Sequence, residues 1–276
     1  MSRADTTSIF QLKNQAPIYL MGLGHGATHW IAATFTILLP LMTEDLGLSY
    51  TEAGLLYSIF YVSSFAANFG SGVVVDVTGR KVIFQILSLV VGAGALAVFG
   101  ITGLYLALAA MVALIGATNN LWHPPAIAFI SERYPDHRGY ALSIHATGAS
   151  VGDMIAPSLV GLLLISFSWQ GAAAVSTLPV LLVVLIFLFY LMPMDRPAPG
   201  VARKTIGVRE YFGGLGVLVR SRAVLGLCLM ASFRSTAQVG LVMFLPLYLY
   251  DVLKVSPWLM GLAITGMHLG GVIVSP

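Results

Sequence analysis

Hydrophobic residues along this chain do not alternate with polar ones; they run on uninterrupted, separated by short polar turns. Apolar runs long enough to cross about 30 Å of hydrocarbon occupy 17–41, 54–75, 82–102, 104–130, 140–167, 171–192, 223–250 and 258–276. The pattern predicts an all-α membrane protein of eight helices. The first run is too long for the core of a secretory signal, and no small-x-small cleavage site follows it. A polar stretch, 193–222, separates six predicted helices from two. The expected organisation is a six-helix half over 1–192, a linker over 193–222 and a partial second half over 223–276.

Composition excludes a soluble domain. The 276 residues are 58% hydrophobic and 9% charged, and mean hydropathy is +0.89, far from the balance of a water-soluble core and shell. The single cysteine, Cys228, falls inside the seventh run, so no disulfide framework or thiolate metal site is expected. A net charge of +3 reflects where the basic residues lie, not affinity for nucleic acid. Of the 14 Lys and Arg, Arg3, Lys13, Arg80, Lys81, Arg133, Arg138, Arg196, Arg203, Lys204, Arg209, Arg220 and Arg222 fall on one side of the predicted membrane. Lys254 falls on the other, where the first loop carries Glu44, Asp45 and Glu52, and Arg234 lies within a helix. The positive-inside rule therefore predicts a multi-pass protein of a bacterial-type inner membrane with a cytoplasmic N-terminus.

Between the second and third runs the chain reads Gly72-Val-Val-Val-Asp76-Val77-Thr78-Gly79-Arg80-Lys81. Gly72 permits close helix approach, Asp76 can accept guanidinium and backbone hydrogen bonds, Gly79 permits a turn open to few other residues, and Arg80 and Lys81 suit the headgroup layer. This turn resembles the signature of the major facilitator superfamily of secondary transporters and stands where that family carries it, with Val77 in place of the usual arginine. The resemblance implies a gating role for Gly72, Asp76, Gly79, Arg80 and Lys81. A weak internal repeat agrees: Leu39-Pro40-Leu41, Asp45, Ser49 and Gly54 recur as Leu245-Pro246-Leu247, Asp251, Ser256 and Gly261. A second charged turn is then due at about position 279, past Pro276. The chain thus reads as a fragment, or a natural truncation, ending within an eighth helix.

Gly24-His25, Asn120-Leu-Trp-His123-Pro124, Arg138-Gly139-x-Ala141 and Gly148-x-x-x-Gly152 with Pro157 are similar to the fosmidomycin-resistance type of efflux protein within that superfamily. Related sequences often carry an acidic residue where this chain has His29. The resemblance implies that helices one, four, seven and ten line a central cavity.

Polar groups inside a bilayer are costly and need a reason. His25 and His29, Asn119 and His123, and Arg234 and Gln238 form i,i+4 pairs on three helices that the resemblance places around the cavity, which makes all six candidate solute-binding residues. Each histidine could instead serve a helix–helix hydrogen bond. Arg234 requires a carboxylate, a water-filled cavity or a solute anion. Asp153, the carboxylate deep in helix five, could carry a coupled proton, as could His25, or could neutralise Arg234. Gly148 and Gly152 suit close packing, with Pro157 and Gly161 bending the outer part of that helix. His25-x-x-x-His29 has zinc-like spacing but no third ligand, so no metal is expected. Gly213-Gly214-x-Gly216 lacks the lysine of a phosphate loop, and no catalytic triad or cofactor motif occurs.

The resulting expectation is a major facilitator type helical bundle, not an enzyme, with no cofactor and no nucleic-acid partner. It would move a small organic solute by alternating access, as a proton-coupled antiporter exporting an organic anion or drug. Efflux of neutral or cationic drugs, or a non-transporting truncated membrane protein or assembly partner, are the alternatives.

Overall fold

The computed structural model describes residues 12–195 and 220–274, together with positions 213, 216 and 218; side chains at 12–13, 76–77 and 271–274 lie outside the description. Most of the expected linker therefore falls outside the described residues. The described residues build helices and no strands. They are α1 (Leu12–Leu46), α2 (Tyr50–Thr78), α3 (Val82–Phe99), α4 (Tyr105–Leu121), α5 (His123–Arg133), α6 (Arg138–Leu163), α7 (Trp169–Val175), α8 (Thr177–Ile186), α9 (Arg222–Leu247) and α10 (Pro257–Val274). Helices α4 and α5 form one membrane crossing jointed at Trp122, and α7 and α8 another jointed at Ser176. Among the described residues seven crossings are long and apolar enough to span a bilayer, and α10 follows as the eighth helix the sequence predicts.

Helix ends fall where local chemistry puts them. Ser49 and Glu52 form a reciprocal capping box at the start of α2, which satisfies two otherwise orphan N–H groups. Gly79 closes α2 with a left-handed φ of 62°, its N–H donating to the Val75 carbonyl at 2.7 Å. The next turn is fastened by residues from elsewhere. Asp195 accepts from the backbone N–H groups of Lys81 (3.0 Å) and Ile83 (3.4 Å), and Lys81 Nζ donates to Glu132 at 2.7 Å.

Helix α1 is the axis of the bundle. Ile18, Met21, Ile37, Leu38 and Met42 on it are wholly buried, and it packs most extensively on α6. Contact there is backbone to backbone: a Cβ at Gly148 would strike Gly22, and one at Gly152 would strike Gly26. On the other side of α6, Gly261 of α10 sits against the Pro157 carbonyl, beside the hydrogen bonds Ser158–Thr265 (2.6 Å) and Thr265 Oγ1 to the Met154 carbonyl (2.7 Å). Pro157 and Gly161 lie within α6 at the surface on which α10 rests. The outward face carries large apolar side chains such as Phe65, Leu182 and Phe189, which suits contact with lipid chains.

Candidate functional site

A cavity of about 250 Å³ lies among α1, α2, α4, α6, α9 and α10. His29 and Thr36 reach it from α1, Tyr57, Tyr61 and Ser64 from α2, Asn119 and Asn120 from α4, Asp153 from α6, Gln238 from α9 and His268 from α10. Phe35 and Phe60 add aromatic surface beside the tyrosines. The polar groups are held by local bonds. Thr36 Oγ1 and the Tyr57 hydroxyl are 2.6 Å apart, Ser64 donates to the Gly116 carbonyl at 2.7 Å, and Asn119 Nδ2 donates to the Thr28 carbonyl at 3.4 Å. His29 Nδ1 lies 3.0 Å from Asp153 Oδ2, with both side chains partly open to the cavity.

A larger cleft, about 470 Å³, opens between α1, α6 and α8, but its walls are Tyr19, Leu23, Trp30, Val151, Ile155 and Val183. Those side chains suit acyl chains; the smaller polar cavity suits a solute.

Behind His29, away from the cavity lining, three more histidines converge. The His25 ring stacks on His145 with centroids 4.0 Å apart, and meets His123 and His29 edge-on at 4.9 Å and 4.8 Å. His25 Nδ1 donates to the His145 backbone carbonyl at 2.9 Å. His25 Nε2 and His145 Nδ1 are buried without a hydrogen-bond partner. Gly24 makes room for this arrangement, since a Cβ there would collide with the Trp122 and Phe187 rings. The sequence pair Gly24-His25 and the Trp122-His123 stretch thus meet in one packed layer.

The structure sorts the expected site residues into three groups. His29, Asn119, Gln238 and Asp153 line the cavity. His25 and His123 belong to the histidine cluster behind it and are absent from that lining. Arg234 is exposed on α9, one turn before Gln238 on the same face, and does not pair with Asp153, whose partner is His29. In the charged turn, Gly72 lies within α2, Arg80 is exposed, and the Asp76 side chain is outside the described ones. Sequence reasoning missed Tyr57 and Tyr61, an i,i+4 pair on α2, and missed His145, eight residues before Asp153 on α6.

Comparison with known proteins fits this fold. Residues 21–276 match the family model of the Major Facilitator Superfamily, and the chain belongs to that superfamily. Its seven long apolar crossings among the described residues are those of a multi-pass membrane protein of this superfamily. A hexuronate transporter of Bacillus subtilis is 26% identical over 95% of this chain and 64% of its own length. A hexuronate transporter of Escherichia coli is 27% identical over 65% of this chain and 42% of its own, and a probable hexose phosphate transport protein of Chlamydia pneumoniae 25% identical over 56% and 34%. The chain thus spans less than two thirds of these relatives. Among solved structures, a bacterial homologue of the lysosomal transporter Spinster, inward-facing and unoccupied, aligns with a TM-score of 0.74 at 17% identity, over 94% of this chain and 60% of that one.

Proposed function

We propose that this transporter moves a monosaccharide bearing an acidic group, by alternating access coupled to a proton. The observation that carries the reading is the cavity lining: the amides of Asn119, Asn120 and Gln238 and the hydroxyls of Tyr57, Tyr61 and Ser64 stand beside the aromatic rings of Phe35 and Phe60. Amides and hydroxyls exchange hydrogen bonds with a polyol, while aromatic faces cover the apolar C–H side of a sugar ring. The hexuronate and hexose phosphate transporters among its relatives support an acid group on that sugar. Arg234, exposed one turn from the cavity-lining Gln238 and outside the lining itself, would meet the acid at the cavity edge, since its planar fork matches carboxylate or phosphate. His29 and Asp153 form the proton-carrying pair, because a carboxylate that faces both a cavity and an imidazole can exchange a proton with either. The turn from Gly72 through Asp76, Gly79 and Arg80 to Lys81 acts as a gate, with Lys81 anchored through Glu132.

Export of an organic anion is the second reading, favoured by the Asn120-Leu-Trp-His123-Pro124 stretch. Calorimetry on the purified protein with glucuronate, glucose 6-phosphate, glucose, a phosphonate and a lipophilic cation separates these. Glucuronate or the sugar phosphate should bind at least about tenfold more tightly than glucose, and Arg234→Gln should remove that advantage while leaving glucose unchanged. Preference for the phosphonate moves the assignment to the second reading. Preference for the lipophilic cation refutes both.

A further inference from the structure

We propose that His25, His123 and His145 bind one divalent transition ion of the zinc class, in the core of the bundle and apart from the solute cavity. Three imidazoles from three different helices, α1, α5 and α6, bring one ligand nitrogen each to within 4.8 Å of the others, the only such group among the described residues. The surroundings of His25 already show the pattern of metal-ligating histidine. One ring nitrogen is committed to a backbone carbonyl, which fixes the tautomer and leaves the other free to ligate. His25 does this with Nδ1 on the His145 carbonyl, and its Nε2 has no partner. His145 Nδ1 is likewise buried and unpartnered. Two buried ring nitrogens without a hydrogen-bond partner lie in this apolar layer, and a cation would supply the partner they lack.

Geometry sets what the ion requires. Tetrahedral ligation with bonds of about 2.0–2.1 Å needs nitrogens about 3.3 Å apart, so side-chain rotation must draw the donors in by roughly 1.5 Å and open the His25–His145 stack. A purely imidazole set selects zinc, copper or nickel over magnesium or calcium, which prefer oxygen. A fourth position is left for water. His29 stands between the cluster and the cavity, edge-on to His25, and its bonded partner Asp153 provides negative charge on the cavity side. That is the entry path. Such an ion ties α1 to α5 and α6 independently of which solute is carried, so the proposal does not depend on a sugar acid being the substrate.

The full chain, purified without a histidine tag and stripped with chelator, is loaded with Zn²⁺ alone, desalted and analysed for metal; a parallel sample receives Co²⁺ for visible spectroscopy. One retained zinc per chain and the intense bands of four-coordinate cobalt are expected. His123→Gln and His145→Gln, which keep volume and hydrogen-bonding capacity, should each weaken zinc binding about 100-fold. His137→Gln, in the turn after α5, should not change it. Substoichiometric zinc, or zinc bound equally well by both cluster variants, overturns the site. Should a variant fail to fold, the wild-type cobalt spectrum decides: weak octahedral bands reject the trihistidine site, and intense four-coordinate bands support it.

Discussion

Individual residues in this protein are legible in proportion to how local their task is. Ser49 and Glu52 cap α2 as a capping box reads in any sequence, and Gly79 takes the left-handed conformation its place after a helix implies. Lys254 holds the same kind of conformation, φ 53°, two residues before the capping Ser256, just as Gly47, φ 63°, stands two residues before Ser49. Glycine fits there without a steric penalty, whereas lysine brings a Cβ into conflict with the backbone. Lys254→Gly is therefore expected to raise thermal stability by about 1 kcal/mol in a detergent melt; a lower melting temperature would show that the lysine side chain contributes more than its backbone costs. His29 and Asp153 lie 124 positions apart, and no spacing rule pairs them. The sequence offered Asp153 an arginine, Arg234, because both were charges in membrane helices. The structure gives it His29, which sits across the α1–α6 contact. Asp153→Asn should therefore keep the protein folded with solute affinity within about threefold, since the amide still bonds the imidazole, and lose proton coupling. Loss of folding would make the pair structural.

At the scale of helices, the eight apolar runs translated into eight crossings or helices, but which face meets which partner was only partly readable. Gly148 and Gly152 were recognisable as a close-packing pair; their mates Gly22 and Gly26 were not, because nothing in a single sequence marks which helix a small-residue face will meet. The joint at Trp122 puts Pro124 and Pro125 in the first turn of α5, where the missing N–H groups cost no intrahelical bond. Alanine is a better helix former than glycine by about 1 kcal/mol, so Gly→Ala in a helix should stabilise wherever space allows. At Gly94, with nothing within 4 Å of an added Cβ, Gly94→Ala is expected to keep or raise the melting temperature. At Gly148, where the Gly22 backbone fills that space, Gly148→Ala is expected to lower melting temperature and yield. Equal behaviour of the two variants would mean that α1 and α6 are not in backbone contact.

The whole molecule carries traces of two related halves. Pro40 lies inside α1 and Pro246 inside α9, and Ser49 and Ser256 each cap the helix that follows. Glu44 accepts a hydrogen bond from Tyr250 at 2.6 Å, joining the corresponding ends of α1 and α9. These correspondences follow the sequence repeat position by position, and the positive-inside rule predicts an orientation with Glu44 outside. A cysteine placed at Glu44 in a Cys228→Ala background is expected to react with an impermeant thiol reagent on intact cells, and one placed at Arg80 only after the membrane is opened; reversed labelling would invert the topology. The cavity itself was the least legible feature, because its walls come from six helices and its tyrosines from α2, which no motif marks. The account stands on one claim, that this cavity carries a sugar acid with a proton. Accumulation of radiolabelled glucuronate in proteoliposomes, measured with and without an imposed pH gradient, tests it directly. The account predicts accumulation only with the gradient and its loss in Asp153→Asn; accumulation indifferent to the gradient, or absent while the protein is folded and correctly inserted, would contradict it.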